Sequence, residues 1–468
     1  MRHRLLTWMV SAACLAVSGA AAADTTDDLL LRLRDKGILT QQEYETLSKR
    51  KAAEDGAQVA TAPPSPPQAP TTASTSTSQD SNLIRATDSG VGVKIGSVSV
   101  KLSGSINGFF VHDSGASAAP DHVVQGGLAT VGQGDTSSIR NGLLPGFLRV
   151  DVVTNQAGWD VGAHFGLYPG IDSVTGAGGA NSGGSPTALS TSGIDARQTY
   201  LTVGRAEFGE LKIGRDIGLF GSDAILNDMT LLGVGTAAGN SAPSNTSLGR
   251  IGLGYIYADF MPQITYTSPK WEGVQASAGV FQPLVTAGGT EVNPTPGVQL
   301  KLTFDHAYSG LATHIWLGYL NQTHKSVAGL PDYDGVGYEG GGKVNYGPFG
   351  AVGYYYTGSG LGTTGLFILS TDSLGAKRDS HGYYLQGTYN PIPKLTLGVS
   401  YGESDLSLAS GEVDPTLLKS NASYVGQARY ALTPWFSLVG EYTHTESTAH
   451  NADEAVSDAL AAGGILFF

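Results

Sequence analysis

Between residues 91 and 468 the chain alternates short, turn-rich connections with long polar ones. The short ones fall at 155–158, 206–209, 268–273, 305–310, 347–348, 390–393 and 431–434. The long ones run at about 112–145, 169–195, 217–250, 282–296, 321–334, 358–380, 404–419 and 446–458. Seven short and eight long connections separate sixteen segments. Each segment has roughly nine to eleven residues, enough for a tilted strand to cross a membrane. An even strand number, with short turns at one end and long loops at the other, predicts an all-β transmembrane barrel of about 16 antiparallel strands.

The segments also carry the right periodicity. Val100, Leu102, Ile106 and Phe110 share one parity, opposite Lys101, Ser103, Ser105 and Asn107. Val150 and Val152 oppose Arg149 and Asp151, and Val161, Ala163, Phe165 and Leu167 oppose Asp160 and His164. A period of two puts an apolar medium on one face and water on the other. Trp271, Phe281, Trp316, Tyr319, Trp435, Phe436 and Tyr442 fall near segment ends, as interfacial girdles require. The last segment ends on Phe468, a terminal aromatic suited to closing the barrel without a free edge.

Composition agrees. The 468 residues include 66 Gly and 21 Tyr, only 14% are charged, and mean hydropathy is near zero. One apolar and one wet face average to that balance. The net charge of −13 arises beyond residue 60, which disfavours a nucleic-acid partner. Residues 1–23 have the basic start, apolar centre and small-residue end of a secretory signal. Cys14, the single cysteine, lies inside that signal; cleavage before it, giving a lipoprotein, is the minor alternative. No later run approaches a transmembrane helix.

Residues 24–55 are expected to be a short α-helical extension in the periplasm, split by Gly37, with Thr40 and Glu43 as a capping box. Its apolar stripe suits self-association as a trimeric coiled coil, or else a lone helix loosely held. Residues 56–90 are rich in Pro, Ser and Thr and read as a semi-extended linker.

The segment RQTYLTVGRAEFGELKIGRD, followed by a Gly/Ser/Asn-rich excursion and then SLGRIGLGYIY, PQITYTSPKWEGVQASAGV and the terminal Phe468, resembles the Gram-negative trimeric porins. That resemblance implies a third loop folded inward to constrict the pore. It also implies basic residues on the wall, matched here by Arg215, Arg250, Arg149 and Lys101, and acids on the loop, matched by Asp223 and Asp228. Opposed charges across a narrow aqueous gap would set up a transverse field. Phe468 becomes the signal read by the barrel-assembly machinery. The partners implied are two further copies in a homotrimer, outer-membrane lipid with lipopolysaccharide, and small hydrophilic solutes. The helix and Pro-rich linker resemble the periplasmic extensions of some substrate-selective porins, including dicarboxylate and phosphate types.

Other signals carry little. Gly335–Gly340 matches G-x-G-x-x-G without a βαβ context. The ten histidines show no metal-ligand spacing, and no GxSxG is present, so neither metal, cofactor nor catalysis is expected. The function expected is passive diffusion of small hydrophilic solutes across the outer membrane. The alternatives are a channel selective for organic acids or other small anions, and a non-conducting barrel used as anchor or adhesin.

Overall fold

The computed structural model describes residues 84–86, 90–114, 124–129, 135–174, 184–185, 187–237, 244–286, 291–326 and 329–468. The expected signal, helical extension and most of the linker lie outside them. The described strands are β1 (Ile84–Ala86), β2 (Val91–Ile95), β3 (Val98–Ser114), β4 (Asp135–Arg140), β5 (Phe147–Gln156), β6 (Trp159–Val174), β7 (Thr191–Arg205), β8 (Gly209–Ile217), β9 (Phe260–Thr267), β10 (Val274–Phe281), β11 (Gly297–Tyr308), β12 (Leu311–His324), β13 (Tyr333–Tyr346), β14 (Phe349–Ser359), β15 (Asp379–Ile392), β16 (Leu395–Leu406), β17 (Leu418–Ala431), β18 (Phe436–Ala449) and β19 (Glu454–Phe467).

Sixteen of them, β3 and β5 to β19, form a closed antiparallel barrel in chain order. Closure comes from β19 pairing with β3, from Asp458↔Ser114 to Phe467↔Ser105. Phe468 extends that ladder through two backbone bonds with Gly104, both 3.0 Å. Its ring fills the space beside Gly104, where a Cβ would come within 2.3 Å of it, and lies 6.1 Å from Trp435. Strand β2 pairs with the start of β3, and β4 pairs with its end.

Short turns are chemically specified. Ala157-Gly158 and Ser309-Gly310 each place two successive residues at positive φ (52° and 79°, 47° and 84°). Two such residues match the twist of flanking strands in a type I′ hairpin. The last long connection is the exception to the expected pattern: β18 and β19 leave only 450–453 between them. The polar run before it belongs to β18, where Thr443, Thr445 and Ser447 face inward and are buried.

The predicted parity holds at the wall. Ile106 and Phe110 are 62% and 52% exposed, whereas Ser105 and Asn107 are 0% and 2%. Seven tyrosines, Tyr319, Tyr338, Tyr355, Tyr383, Tyr401, Tyr424 and Tyr442, stand on the outward parity of β12 to β18. Neighbouring rings meet at 5.3 Å (Tyr319 and Tyr338) and 4.6 Å (Tyr401 and Tyr424), forming a girdle. Phe281 and Trp316, expected there, are instead buried inside the barrel. They join an interior apolar cluster with Phe220, Ile225, Ile256, Tyr354, Leu361 and Phe367. The main apolar core therefore lies inside the barrel, between inner wall and inserted loops.

Candidate pore constriction

The third long connection, residues 218–259, holds helix α1 (Ser222–Asn227) and a 3-10 turn (Met229–Leu232). A segment without strand pairing that is buried leaves its backbone N–H groups to be satisfied by other means. Side chains on the barrel wall supply the acceptors. Gln299 Oε1 on β11 accepts from the Leu219 and Phe220 amides at 2.7 and 3.0 Å. Glu339 on β13 accepts from Gly221, at 2.9 Å to each oxygen, and from the Tyr354 hydroxyl at 2.7 Å. Gly221 precedes α1 at φ 79° with no side-chain cap of its own, so Glu339 serves as an external acceptor at that end. Gln386 on β15 accepts from the Met229 amide at 2.7 Å. Gln427 on β17 donates to the Met229 carbonyl at 3.1 Å. Glu441 on β18 accepts from Val234 and Gly235 at 3.0 and 2.5 Å, and from Gln427 at 2.8 Å. The loop is thus folded inward, fastened to staves far apart around the barrel.

Ionic contacts add to this. The Asp223 carboxylate on α1 meets Lys301 Nζ at 2.8 Å and His314 Nε2 at 3.1 Å. The other ring nitrogen of His314 meets Asp305 at 2.7 Å, and Lys270 meets Asp305 at 2.8 Å. Burial alone would raise the Asp223 carboxyl, but His314 and Lys301 outweigh it and hold the group below its ordinary value. Leu226, on the same helix, is 57% exposed and faces away from these anchors.

A second set of polar groups stands on the inner face of β5 to β8. Arg149 Nε meets Asp151 at 2.9 Å, and its Nη2 donates to the Tyr200 hydroxyl at 2.9 Å. His164 also contacts Asp151, at 2.5 Å, and stacks on Tyr200 with ring centroids 4.6 Å apart. Lys212 pairs with Asp216 and lies 5.2 Å over the Tyr200 ring. Arg149, His164, Tyr200 and Lys212 line an open cavity of about 580 Å³ that reaches Lys94 and Glu210 near the short turns.

The residues expected at the constriction are therefore dispersed. Arg149 and Lys101 have inward parity, with Lys101 exposed and in register with Asp151. Arg215 corrects the expectation: it shares the outward parity of Ile213 and is exposed, because alternation along β8 gives the inner face to Lys212 and Asp216. Arg250 is inside the barrel but fully buried, donating to the Ser423 carbonyl and hydroxyl at 3.2 and 3.0 Å, so it fastens the loop rather than facing open water. Asp228 is likewise buried, accepting from the Thr230 amide and the Tyr255 hydroxyl, both at 2.9 Å. Asp223 stands on the loop as expected, tied to the wall. Lys212, Asp216, Tyr200, Lys301, His314, Glu339 and Glu441 were not anticipated. Parity alone would have found Lys212, opposite Leu211 and Ile213.

An apolar-sided, closed sixteen-strand barrel with a loop folded into its interior defines an outer-membrane channel. The chain belongs to the Gram-negative porin family, whose model matches residues 10–450. Among solved structures, the outer membrane channel DcaP of Acinetobacter baumannii superposes with a TM-score of 0.60 at 16% identity, over 79% of this chain and 97% of that one. OmpT of Vibrio cholerae and OmpF of Salmonella typhi, the latter in complex with daunomycin, each give 0.50 at 13% identity. They cover 80% of this chain and 99% and 98% of their own lengths. These likenesses are of fold. A comparison with curated proteins finds no match.

Proposed function

We propose that this porin is a passive channel for small hydrophilic solutes, working as a homotrimer without cofactor or chemistry of its own. Residues 1–23 are its cleaved signal and 24–90 its periplasmic extension. Outer-membrane lipid and lipopolysaccharide surround it, and the barrel-assembly machinery reads Phe468. The observation that carries the transport reading is the open cavity along β5 to β8, opposite in character to the apolar, loop-filled side of the interior. Arg149 is matched by Asp151 and Lys212 by Asp216, and Lys94 shares the cavity with Asp160 and Glu210, so the field along this wall is weak and selectivity modest. Planar-bilayer recording tests it: three equal conductance steps are expected, and folded protein that never conducts would favour the anchor reading.

A second reading, selectivity for organic acids, draws on the Arg149, Tyr200, His164 and Lys212 assembly, which offers an aromatic face beside cations. Block of the ion current by a low concentration of such an acid, with no block by neutral sugars, would support it.

A further inference from the structure

Many cations facing the barrel interior are already engaged: Arg149, Lys212, Arg197 and Lys301 each pair with a carboxylate, and Arg250 is buried against Ser423. Arg429 is different. On β17 the outward series is marked by Tyr424 and Tyr430, 54% and 38% exposed, and the inward series by the buried Val425 and Gln427. Arg429 belongs to the inward series and is partly exposed there. Among the described residues it has neither hydrogen bond nor ion pair, and no charged group acts on it.

Its height in the barrel follows from its neighbour. Gln427, one dyad step away, about 7 Å along the strand, donates to Met229 of the inserted loop. Arg429 therefore lies just on the short-turn side of the constriction, two residues before β17 ends at Ala431. Lys101, also inward and exposed, stands apart from it: the ladder from Arg429 runs through Val439 and Gly463 to Phe109, eight residues along β3 from Lys101, which lies in register with Asp151. The carboxylates at the same end, Asp160 and Glu210, stand on β6 and β8 and line the cavity that Lys94 of β2 also reaches, on the side of the barrel away from β17.

Resting on the channel reading, we infer that Arg429 forms an anion subsite on the short-turn side of the constriction, fitted to the carboxylate or phosphate group of a small solute. A planar guanidinium with all its donors available binds such groups with two parallel hydrogen bonds. Low-dielectric walls strengthen its field within the lumen. A solute that clears the loop meets this charge next, so the two ends of the pore are electrically unlike.

The test is reversal potential in a potassium chloride gradient, together with block of the current by inorganic phosphate added from each side. Arg429→Gln is expected to lower the anion-to-cation permeability ratio about sevenfold, since one charge about 7 Å away in water changes the anion and the cation by about 2.7-fold each in opposite directions. It should also abolish phosphate block from the short-turn side. Arg429→Lys should keep most of the ratio while weakening the block, since it retains charge but loses the fork. A conducting Arg429→Gln channel with wild-type ratio and wild-type block overturns the inference alone. A wild-type protein that forms no channel overturns the channel reading as well.

Discussion

Replacing Glu441 by Ala removes the acceptor that holds the far end of the inserted loop. The Val234 and Gly235 amides, at 3.0 and 2.5 Å, lose their partner, and Gln427 loses one of its two. Hydrogen bonds to a charged group are worth about 1.5–3 kcal/mol each. Lumen water replaces part of that, leaving a loss of about 2–4 kcal/mol in the local closure of the loop. At about 1.4 kcal/mol per factor of ten, the open fraction of this segment rises roughly 30- to 700-fold. Amide hydrogen exchange read by mass spectrometry, on peptides covering 229–237, measures that fraction directly. Peptides covering 219–225, held by Gln299 and Glu339, should change little. Glu441→Gln keeps a carbonyl acceptor and should raise exchange only about fivefold, for a loss of about 1 kcal/mol. Wild-type exchange at 229–237 in the Ala variant would refute the idea that wall carboxylates hold the loop in place.

Three further outcomes follow from the same geometry. Asp223→Asn frees Lys301 and His314 from their shared carboxylate, and should move the reversal potential towards anions; no movement would place this trio outside the conducting path. Because the Asp223 carboxyl is held below its ordinary value when folded, its anchoring is complete above about pH 4 and is lost as pH falls through the depressed folded value. The protection factors of α1 amides, which remove the intrinsic pH dependence of exchange, should therefore keep the Asp223 contribution down to about pH 5 and fall below about pH 4. Arg215→Gln should leave ion selectivity unaltered, since that side chain projects from the outer face; a shift towards cations would return it to the lumen. Gly104→Leu drives a side chain into the Phe468 ring, at a cost of about 1–3 kcal/mol. Heating in detergent should unfold it at a lower temperature than wild type, and equal resistance would show that the ring does not need this site.

The barrel was legible because its determinants are local. Turn residues such as Gly158 and Gly310, and the alternation of Ile106 and Phe110 with Ser105 and Asn107, are written within a few positions of one another. The fastening of the loop is not local: Glu339 and Glu441 look like unremarkable wall acids until the fold brings them to Gly221 and Gly235. The same holds for Arg250, whose motif marks the loop's return but whose burial depends on Ser423, 173 residues away. Arg215 shows how a motif can mislead where parity informs. Arg215 matched a wall position that the resemblance implies, while the neighbouring Leu211 and Ile213 already assigned it to the outer face. Trp316 and Phe281 were misplaced for the opposite reason, since a large aromatic near a strand end suits either a girdle or an interior core.

The loop's attachments also set an order of events in biogenesis. Its bonds to Glu339 and Glu441 reach 118 and 207 residues forward, into staves made long after the loop itself. Contacts so distant along the chain form late, because the intervening segments must first be ordered. The ring itself cannot close before β18 and β19 are in place, so the last fastening of the loop and the closure of the barrel fall in the same late stage of insertion, and the loop is seated as the pore forms.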